Sequence, residues 1–373
     1  MLEAVFWVAA GFLVYAQVGY ALLLCAIAAV RRPEGLRRGA EATPDVSLIV
    51  AAYREEANIA AKVAEVRALD YPPERLELIV CCDGSDDATA RRARAAGADR
   101  VLDLPRGGKT SAQNAGAREA RGEVLAFSDA NSRWHASALR ELVTPFADPR
   151  VGYVCGQLEL VDRGGANQGG LYWRYETALR ALESRLASVT AGNGAIYATR
   201  RAAYVELGAG SSHDLAFPFT MVKRGWRAVF AADARATETV LPTIEGEFAR
   251  KRRMMRRGWP IVLREGMLSP HGYGPLYAVM IASHRVLRYL TPFLHLVALA
   301  ANIALVVRGD GAIYVVTLIP QLALLAAAAI APLVRLRPLL IARYYVLTTA
   351  SVAAGLWDWV RRGRLPGWEP VRE

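Results

Sequence analysis

The sequence predicts an α/β domain that is built on a mostly parallel, nucleotide-binding sheet and flanked by transmembrane helices. Between about residues 31 and 270, dense apolar runs alternate with helical patterns, which is typical of parallel sheets covered by helices on both faces. Apolar segments long enough to span a bilayer lie on both sides of this polar block. We therefore expect one soluble domain between membrane anchors.

The first apolar segment covers residues 5–30 and contains no Asp, Glu, Lys or Arg. It exceeds the roughly 20 residues that span a bilayer as a helix, and no convincing cleavage site follows, so we expect a retained anchor. Further candidate spans cover residues 289–307, 312–334 and 339–360. The chain accordingly divides into an N-terminal anchor (1–30), a soluble domain (31–245), an amphipathic interfacial region (246–288) and C-terminal transmembrane segments with a tail (289–373).

The basic residues predict the orientation of the chain. Lys and Arg total 46 against 35 Asp and Glu, a formal net charge of +11. Directly after the first segment stand Arg31, Arg32, Arg37 and Arg38. By the positive-inside rule they place the domain in the cytoplasm of a multi-pass inner (plasma) membrane protein. The C-terminal basic residues leave the number of later spans open: Arg335 and Arg337 fit this orientation, and Arg361, Arg362 and Arg364 do not.

Oxygen-bearing side chains follow the predicted strands at the point where each strand ends. The first strand leads to Tyr53 and Glu55, the second ends at Asp83, and a later one ends at Asp129. Ligands bind at this carboxyl edge in open α/β sheets, and hard cations such as Mg²⁺ or Mn²⁺ prefer oxygen ligands. The alternative is a turn residue for Asp83, and a helix cap for Asp129 or Ser132.

A glycine-rich turn precedes the helix that Lys109 opens. In Arg106-Gly107-Gly108-Lys109, two glycines expose backbone N–H groups beside a lysine, an arrangement that can bind an anion. The spacing is not that of a P-loop, so a plain glycine turn is the alternative.

Asp214 stands at the start of a predicted helix, after Ser211, Ser212 and His213. A carboxylate in such a place can act as a general base, and the neighbouring His213 can tune its pKa. The alternative is that Asp214 caps the helix.

A strongly basic segment runs through residues 250–259. Phe248, Met255, Trp259 and Val262 recur at helical spacing, so we expect an interfacial helix whose apolar side faces lipid while its arginines reach phosphate. One of the arginines could also bind a diphosphate. Nucleic acid is not an expected partner, because no recognised motif or aromatic platform accompanies the run.

Five segments, in this order, resemble motifs of the family 2 glycosyltransferases: VSLIVAAYREEANI, LDYPPERLELIVCCDGSDDAT, GGKTSAQNAG, SDANS and HDLAFPFTMVKRGWRAVF. The resemblance covers about residues 46–260 and is especially to the membrane-bound synthase-like branch, which includes cellulose, hyaluronan and poly-N-acetylglucosamine synthases. It implies a GT-A-like fold, a nucleotide-sugar donor with uridine as the preferred base, a lipid or glycan acceptor, and Mg²⁺ or Mn²⁺ as cofactor.

The resemblance also implies roles for individual residues. These are nucleotide contacts for Tyr53, Glu55, Asp83 and Lys109, a metal ligand at Asp129, and a catalytic base at Asp214. The implied reaction is inverting: Asp214 deprotonates an acceptor hydroxyl, which attacks the anomeric carbon opposite the leaving nucleoside diphosphate.

The sequence departs from the family pattern in three places. Asn131, a poorer metal ligand, replaces the second Asp of the Asp-x-Asp motif, and His213 stands where Glu is usual. The Gln-x-x-Arg-Trp motif of the synthases is absent, and its nearest match is Arg253-Met254-Met255-Arg256-Arg257 with Trp259 displaced. We expect Arg253, Arg256, Arg257 and Trp259 on the diphosphate or acceptor side of the site.

The leading functional hypothesis is transfer of one hexosyl or N-acetylhexosaminyl unit to a lipid-linked or membrane-proximal glycan acceptor. A processive polysaccharide synthase is the first alternative, and the length of the product would distinguish it. A non-catalytic nucleotide-binding membrane scaffold is the second, and the joint presence of Asp83, Asp129 and Asp214 argues against it.

Overall fold

The computed structural model of the protein describes residues 1–31, 35–36, 43–161, 170–239, 243–334 and 336–363. Several basic residues used above to predict the orientation lie outside these ranges, namely Arg32, Arg37, Arg38, Arg335 and Arg364. The architecture given below is that of the described residues.

Among these residues, eight strands form a single sheet. They are β1 (Val46–Ala52), β2 (Leu76–Asp83), β3 (Arg100–Leu104), β4 (Val124–Asp129), β5 (Arg133–Trp134), β6 (Val151–Val161), β7 (Ile196–Arg200) and β8 (Arg227–Thr239). Their order is β3-β2-β1-β4-β7-β6-β8-β5. The pairs β3–β2, β2–β1, β1–β4 and β6–β8 are parallel, while β7 and β5 pair antiparallel with their neighbours. The predicted α/β domain with a mostly parallel sheet is therefore confirmed.

The described residues also form thirteen α-helices. They are α1 (Leu2–Val14), α2 (Tyr20–Val30), α3 (Ile59–Arg67), α4 (Thr89–Ala95), α5 (Lys109–Glu119), α6 (Ala138–Val143), α7 (Gly170–Leu186), α8 (His213–Lys223), α9 (Ile244–Arg264), α10 (Pro275–Met280), α11 (Leu287–Arg308), α12 (Ala312–Val334) and α13 (Arg337–Arg362). A π-helical turn, Tyr15–Gly19, joins α1 to α2, and another, Ile281–Val286, joins α10 to α11. Short 3₁₀ turns occur at Pro73–Arg75, Thr144–Ala147 and Arg201–Ala203.

The central strand β1 is buried along its whole length. Its alternate residues enter two different apolar layers: Leu48 packs in the cluster that contains residues of α3 and α6, and Ile49 in the cluster that contains residues of α5 and α8. A strand covered by helices on both faces needs apolar residues at every position, which explains the unbroken apolar run in the sequence.

Four helical segments of the described chain are long and apolar enough to cross a membrane: Leu2–Val30, Pro275–Arg308, Ala312–Val334 and Arg337–Arg362. The second begins at Pro275, well before the predicted start at residue 289. Polar residues such as His284 and Arg285 interrupt the apolar pattern there, but they bond to Glu183 and Thr190 of the α/β domain, so the helical segment continues through them.

Helix α9 packs along α13, and this corrects the expectation that its apolar side faces lipid. Trp259 and Val262 are 4% and 2% exposed, and the Trp259 indole N–H donates to the Val352 carbonyl at 2.9 Å. Arg252 forms a two-pronged ion pair with Asp358 of α13, at 2.6 and 2.7 Å. The amphipathic pattern is therefore satisfied by another helix of the same chain.

Gly355 allows the close approach of α13 to α9. A Cβ at this position would lie 2.5 Å from the Met255 Cβ and 2.9 Å from the Arg252 carbonyl oxygen. We predict that Gly355→Leu lowers the free energy of unfolding by about 1–3 kcal/mol, because overpacking forces the two helices apart. Thermal unfolding of the detergent-purified protein measures this, with Gly11→Leu as the control because nothing lies within 4 Å of a Cβ there. Equal melting temperatures for the two variants would contradict the packing argument.

Candidate active site

The predicted site residues of the first, second and fourth strands meet at one edge of the sheet. Strand β1 lies between β2 and β4, with Ala52 opposite Cys82 and Ala51 opposite Asp129. Tyr53 and Glu55 therefore lie beside Asp83 on one side and Asp129 on the other. Because all three strands are parallel, this edge is the carboxyl edge, where ligands bind in open α/β sheets.

Asp83 anchors the glycine-rich turn. Its side chain is buried, and Oδ1 accepts hydrogen bonds from the backbone N–H groups of Gly107 at 2.7 Å and Gly108 at 2.9 Å. Oδ2 accepts a hydrogen bond from the guanidinium of Arg106 at 2.7 Å. The backbone N–H groups that we expected to bind an external anion therefore hold a carboxylate of the protein itself.

Lys109 and Asp129 form an ion pair at the centre of this edge. Asp129 Oδ1 is buried and receives no aligned hydrogen bond from the described residues. Gly194 comes from the loop before β7, and a Cβ there would lie 3.1 Å from the Lys109 ammonium nitrogen and 4.0 Å from Asp129 Oδ2. The loop thus approaches the ion pair, and a side chain at position 194 would crowd the Lys109 ammonium group.

Asp129 and Ser132 do not cap a helix. The next helix, α6, begins after Ser137, whereas the Ser132 hydroxyl donates to the backbone carbonyl of Asp129 at 2.9 Å. Beneath this turn lies Lys62, which is 1% exposed and donates to the Ser132 carbonyl at 3.0 Å and to Glu65 at 2.7 Å. Burial lowers the pKa of Lys62, and the charge of Glu65 opposes that shift. The turn that presents Asp129 is therefore fixed from below by a buried lysine.

Glu238, at the end of β8, is a site residue that sequence reasoning missed. The Asn131 side-chain amide donates to Glu238 Oε1 at 3.4 Å. Burial raises the pKa of Glu238, and repulsion from Asp129 raises it further. Glu238 reaches the site because β8 pairs with the two-residue strand β5, a long-range contact for which the sequence carries no local signal.

The donor set fits a divalent cation that shares its ligands with a diphosphate. Glu55 and Glu238 both lie near enough to Asp129 to be affected by its charge: burial raises the pKa of each, and repulsion from Asp129 raises it further. Among the described residues, no three His, Cys, Asp or Glu side chains form a metal site by themselves. Mg²⁺ commonly takes one or two carboxylates and completes its shell with substrate phosphates and water, which this arrangement allows.

Asp214 lies in the first turn of α8 and does not cap it. The cap position is Ser212, so the capping alternative is wrong. The backbone N–H of Gly192 donates to the Asp214 carbonyl at 2.7 Å. The loop that carries Gly194 to the Lys109–Asp129 ion pair is therefore bonded, two residues earlier, to Asp214.

His213 points into the core and does not place a charge beside Asp214. Its Nδ1 lies 2.6 Å from the Tyr197 hydroxyl, and its ring packs edge-on against Phe217. Burial lowers the pKa of His213 well below its ordinary value, and Lys109 lowers it further. The ring is neutral at physiological pH, so the expected tuning of Asp214 by its charge is not supported.

The same loop, just before Gly192, is bonded to the helical segment Pro275–Arg308. Arg285 donates to the Thr190 hydroxyl at 2.8 Å, and the Thr190 backbone N–H donates to Glu183 of α7 at 3.0 Å. Tyr277 donates to the Val189 carbonyl at 3.0 Å. The sequence analysis assigned Arg285 and Tyr277 to the interfacial region (246–288) and did not connect them with the site.

The residues of α9 expected near the diphosphate have varied surroundings. Arg256 donates to the carbonyls of Arg362 and Gly363, both at 3.0 Å, and Trp259 is bonded to α13, so these two side chains hold the helix pair together. Arg253 contributes to the wall of a small cleft beside Asp358, and Arg257 is half-buried. Arg250, which the sequence analysis did not single out, is the cation of this helix whose charge acts on Glu238.

Residues 44–259, more than half of the chain, match the protein family described as glycosyltransferase like family 2. The chain belongs to this family. Its curated relatives include the beta-monoglucosyldiacylglycerol synthase of Synechocystis sp., 31% identical over 214 residues (51% of this chain, 42% of the relative), and the N-acetylglucosaminyltransferase of Rhizobium meliloti, 28% identical over 225 residues (54% and 53%). This family 2 chain spans about half the length of the curated relatives it matches.

The structure is also similar to that of a solved mannosyltransferase from Pyrobaculum calidifontis in complex with GDP-Man and Mn²⁺. The TM-score is 0.76 at 22% identity, and the likeness covers 96% of this chain and 99% of that one. The expected GT-A-like fold of a family 2 glycosyltransferase, with flanking apolar helices, is thereby confirmed. The narrower assignment to the cellulose and hyaluronan synthase-like branch stays a prediction.

Lys62 offers a test of how the Asp129 turn is held. We predict that Lys62→Met destabilises the protein by about 1–3 kcal/mol, because Glu65 and the Ser132 carbonyl lose a buried partner. Chemical unfolding of the purified protein measures the loss. The control is Lys223→Met, since the ammonium of Lys223 makes its hydrogen bond to Ser269 at the surface. If both substitutions cost the same, the turn does not depend on Lys62.

Proposed function

We propose that this protein is a membrane-bound inverting glycosyltransferase that moves a sugar from a nucleotide-sugar donor to a lipid-linked or glycan acceptor. The observation that carries the proposal is the loop between Thr190 and Gly194. It is bonded to Asp214 at Gly192 and approaches the Lys109–Asp129 ion pair at Gly194. One short loop thus contacts both the backbone of the candidate base and the candidate diphosphate site.

The donor would lie along the carboxyl edge of the sheet. Tyr53 offers an aromatic face, Asp83 a buried carboxylate, and Glu55 a further acceptor for base and ribose, while Lys109 is placed for the diphosphate. UDP is the nucleotide that the sequence resemblance favours. GDP is the alternative, because the solved mannosyltransferase of similar fold was obtained with GDP-Man.

Asp129 would hold a divalent cation, Mg²⁺ or Mn²⁺, together with the donor's diphosphate. When bound, such a cation stabilises the negative charge that develops on the leaving nucleoside diphosphate. Lys109 would move from Asp129 to a phosphate oxygen and would supply positive charge there. Asn131 is turned towards Glu238, which supports a cation held by Asp129 and not by Asn131.

Asp214 would accept the proton of the acceptor hydroxyl as its oxygen attacks the anomeric carbon. The new bond joins that oxygen to the sugar, the bond from the sugar to the diphosphate breaks, and the electron pair leaves with the diphosphate. Attack from the face opposite the leaving group inverts the anomeric configuration. Among the described residues none forms a hydrogen bond or an ion pair with the Asp214 side chain, which is half-buried, so its carboxylate would be available to an acceptor hydroxyl.

The acceptor would be presented at the membrane on the cytoplasmic side. The loop beside Asp214 is bonded to the helical segment Pro275–Arg308, a candidate membrane span, and this contact supports a reaction close to the membrane. Arg256 and Trp259 serve helix packing rather than forming an acceptor platform, so we favour single transfer over processive synthesis. The number of sugars added per acceptor from a labelled donor separates these two functions.

The proton-transfer role predicts the behaviour of Asp214→Asn. We expect kcat to fall by about 10²–10⁴-fold, because the amide cannot accept the acceptor's proton. Donor affinity should stay unchanged. Release of nucleoside diphosphate from purified membranes, with lipid extracts as acceptors, measures turnover. Asp233→Asn is the matched control, since Asp233 is exposed on β8 and the change of charge is the same. Normal turnover by Asp214→Asn would overturn the mechanism.

The metal role predicts that Asp129 and Asn131 respond differently to substitution. We expect Mn²⁺ to tighten the binding of a nucleoside diphosphate to the natural protein and to Asn131→Ala. It should not do so for Asp129→Asn, because that change removes the carboxylate ligand. Titration calorimetry with and without Mn²⁺ measures this, and EDTA should abolish turnover. A loss of Mn²⁺ dependence in Asn131→Ala alone would place the cation elsewhere.

A further inference from the structure

The guanidinium of Arg106 contacts two side chains at the donor end of the candidate site. Its central carbon lies 3.3 Å from the centroid of the Tyr53 ring, so the two planes are in van der Waals contact. One of its nitrogens donates to Asp83 Oδ2 at 2.7 Å and also lies 3.3 Å from the Asp83 carbonyl oxygen. Arg106 is thus a flat, N–H-bearing group placed between an aromatic ring and a carboxylate.

Those two contacts are also the chemistry that recognises a nucleobase. Bases stack on aromatic side chains, and the N–H groups on their edges donate to carboxylates. Tyr53 follows β1 and Asp83 ends β2, and these two strands are adjacent and parallel. A base that stacked on this face of Tyr53 and bonded to Asp83 Oδ2 would use the groups that Arg106 contacts.

We propose that Arg106 competes with the nucleobase of the donor for Tyr53 and Asp83, and that this competition limits donor affinity. The inference rests on the proposed function, because it takes the donor to be a nucleotide sugar. It adds a residue that sets the affinity for the base part of the donor, separately from the Lys109 and Asp129 end, where the diphosphate would bind.

The surroundings of Arg106 allow its side chain to move while its backbone stays fixed. The backbone N–H groups of the following residues, Gly107 and Gly108, donate to Asp83 Oδ1, and that of Gly108 also lies 3.0 Å from Oδ2, so the turn stays bonded to Asp83 when the Arg106 side chain moves. A Cβ on Gly84 would lie 2.9 Å from the Arg106 backbone nitrogen, so the turn is tightly packed there. The side chain itself is 33% exposed, which leaves a path towards solvent.

The chain offers a matched control in Arg54. Its guanidinium also lies near the Tyr53 ring, at 5.5 Å, but it is ion-paired with the exposed Asp86 and not with Asp83. Replacement of Arg54 by Ala removes the same charge from the same neighbourhood. It does not vacate the face of Tyr53 or the Oδ2 of Asp83.

The test is nucleotide binding by the full-length, detergent-purified protein, measured by calorimetry with UDP and with GDP in the presence of Mg²⁺. We expect Arg106→Ala to bind at least one of them about 3- to 30-fold more tightly, because the cation over the Tyr53 ring and its ion pair with the buried Asp83 no longer have to be displaced. Inorganic diphosphate, which has no base, should bind Arg106→Ala no more tightly than the natural protein. Arg54→Ala should show neither change.

The possible outcomes separate the two levels of the argument. Equal or weaker nucleotide binding by Arg106→Ala would show that Arg106 is not a competitor, while the proposed function would stand. An equal gain for diphosphate and for nucleotides would mean a general electrostatic effect and would also overturn the inference. If the folded natural protein and Arg106→Ala both failed to bind every nucleoside diphosphate, the proposed function would fail and this inference with it.

Discussion

A single buried carboxylate, that of Glu183 in α7, joins the α/β domain to two apolar helical segments, Leu2–Val30 and Pro275–Arg308. It accepts hydrogen bonds from the Tyr20 hydroxyl at 2.6 Å and from the Thr190 backbone at 3.0 Å, and it lies 2.6 Å from His284 Nδ1. Burial alone would raise the pKa of Glu183, but its interactions with His284 and Arg285 lower it to about 2. Because a buried carboxylate is tolerated only when its oxygens are all satisfied, the two apolar segments and the Thr190 loop must be in place together.

This constraint gives the helical segment Pro275–Arg308 two functions. Its π-helical turn, Ile281–Val286, carries His284 and Arg285 towards α7 and the Thr190 loop, and Arg288 further along pairs with Glu176. Ionisable groups in an apolar helix are costly in lipid, and π turns often occur at functional sites. Here the charges turn inward to the domain, so the segment that would anchor the protein also fixes the loop beside Asp214.

The candidate site residues whose position in the fold the sequence predicted are those with a local signal. Asp83 and Asp129 end apolar strands, and the strand order alone brings them to one edge of the sheet. Glu238 and Arg250 have no such signal, because their position depends on the pairing of β8 with β5 and on the seating of α9. The sequence also could not predict that Asp83 accepts hydrogen bonds from Gly107 and Gly108, because a glycine pair has the same sequence pattern whether its N–H groups bind a ligand or another residue of the protein.

The basic helix α9 shows why an amphipathic sequence pattern does not reveal whether its apolar side packs against lipid or against another helix. Burial of Trp259 and Val262 removes apolar surface from water whether the other side is lipid or protein, and the hydrophobic gain is similar in both cases. What distinguishes them lies about a hundred residues later, where α13 carries a glycine at 355 and a carboxylate at Asp358. Lipid requires neither a gap for a backbone nor a counter-charge at the height of Arg252. Helix–helix packing is therefore indicated by a small residue and an acidic residue at the right spacing, and these stand in the sequence of α13 and not in that of α9.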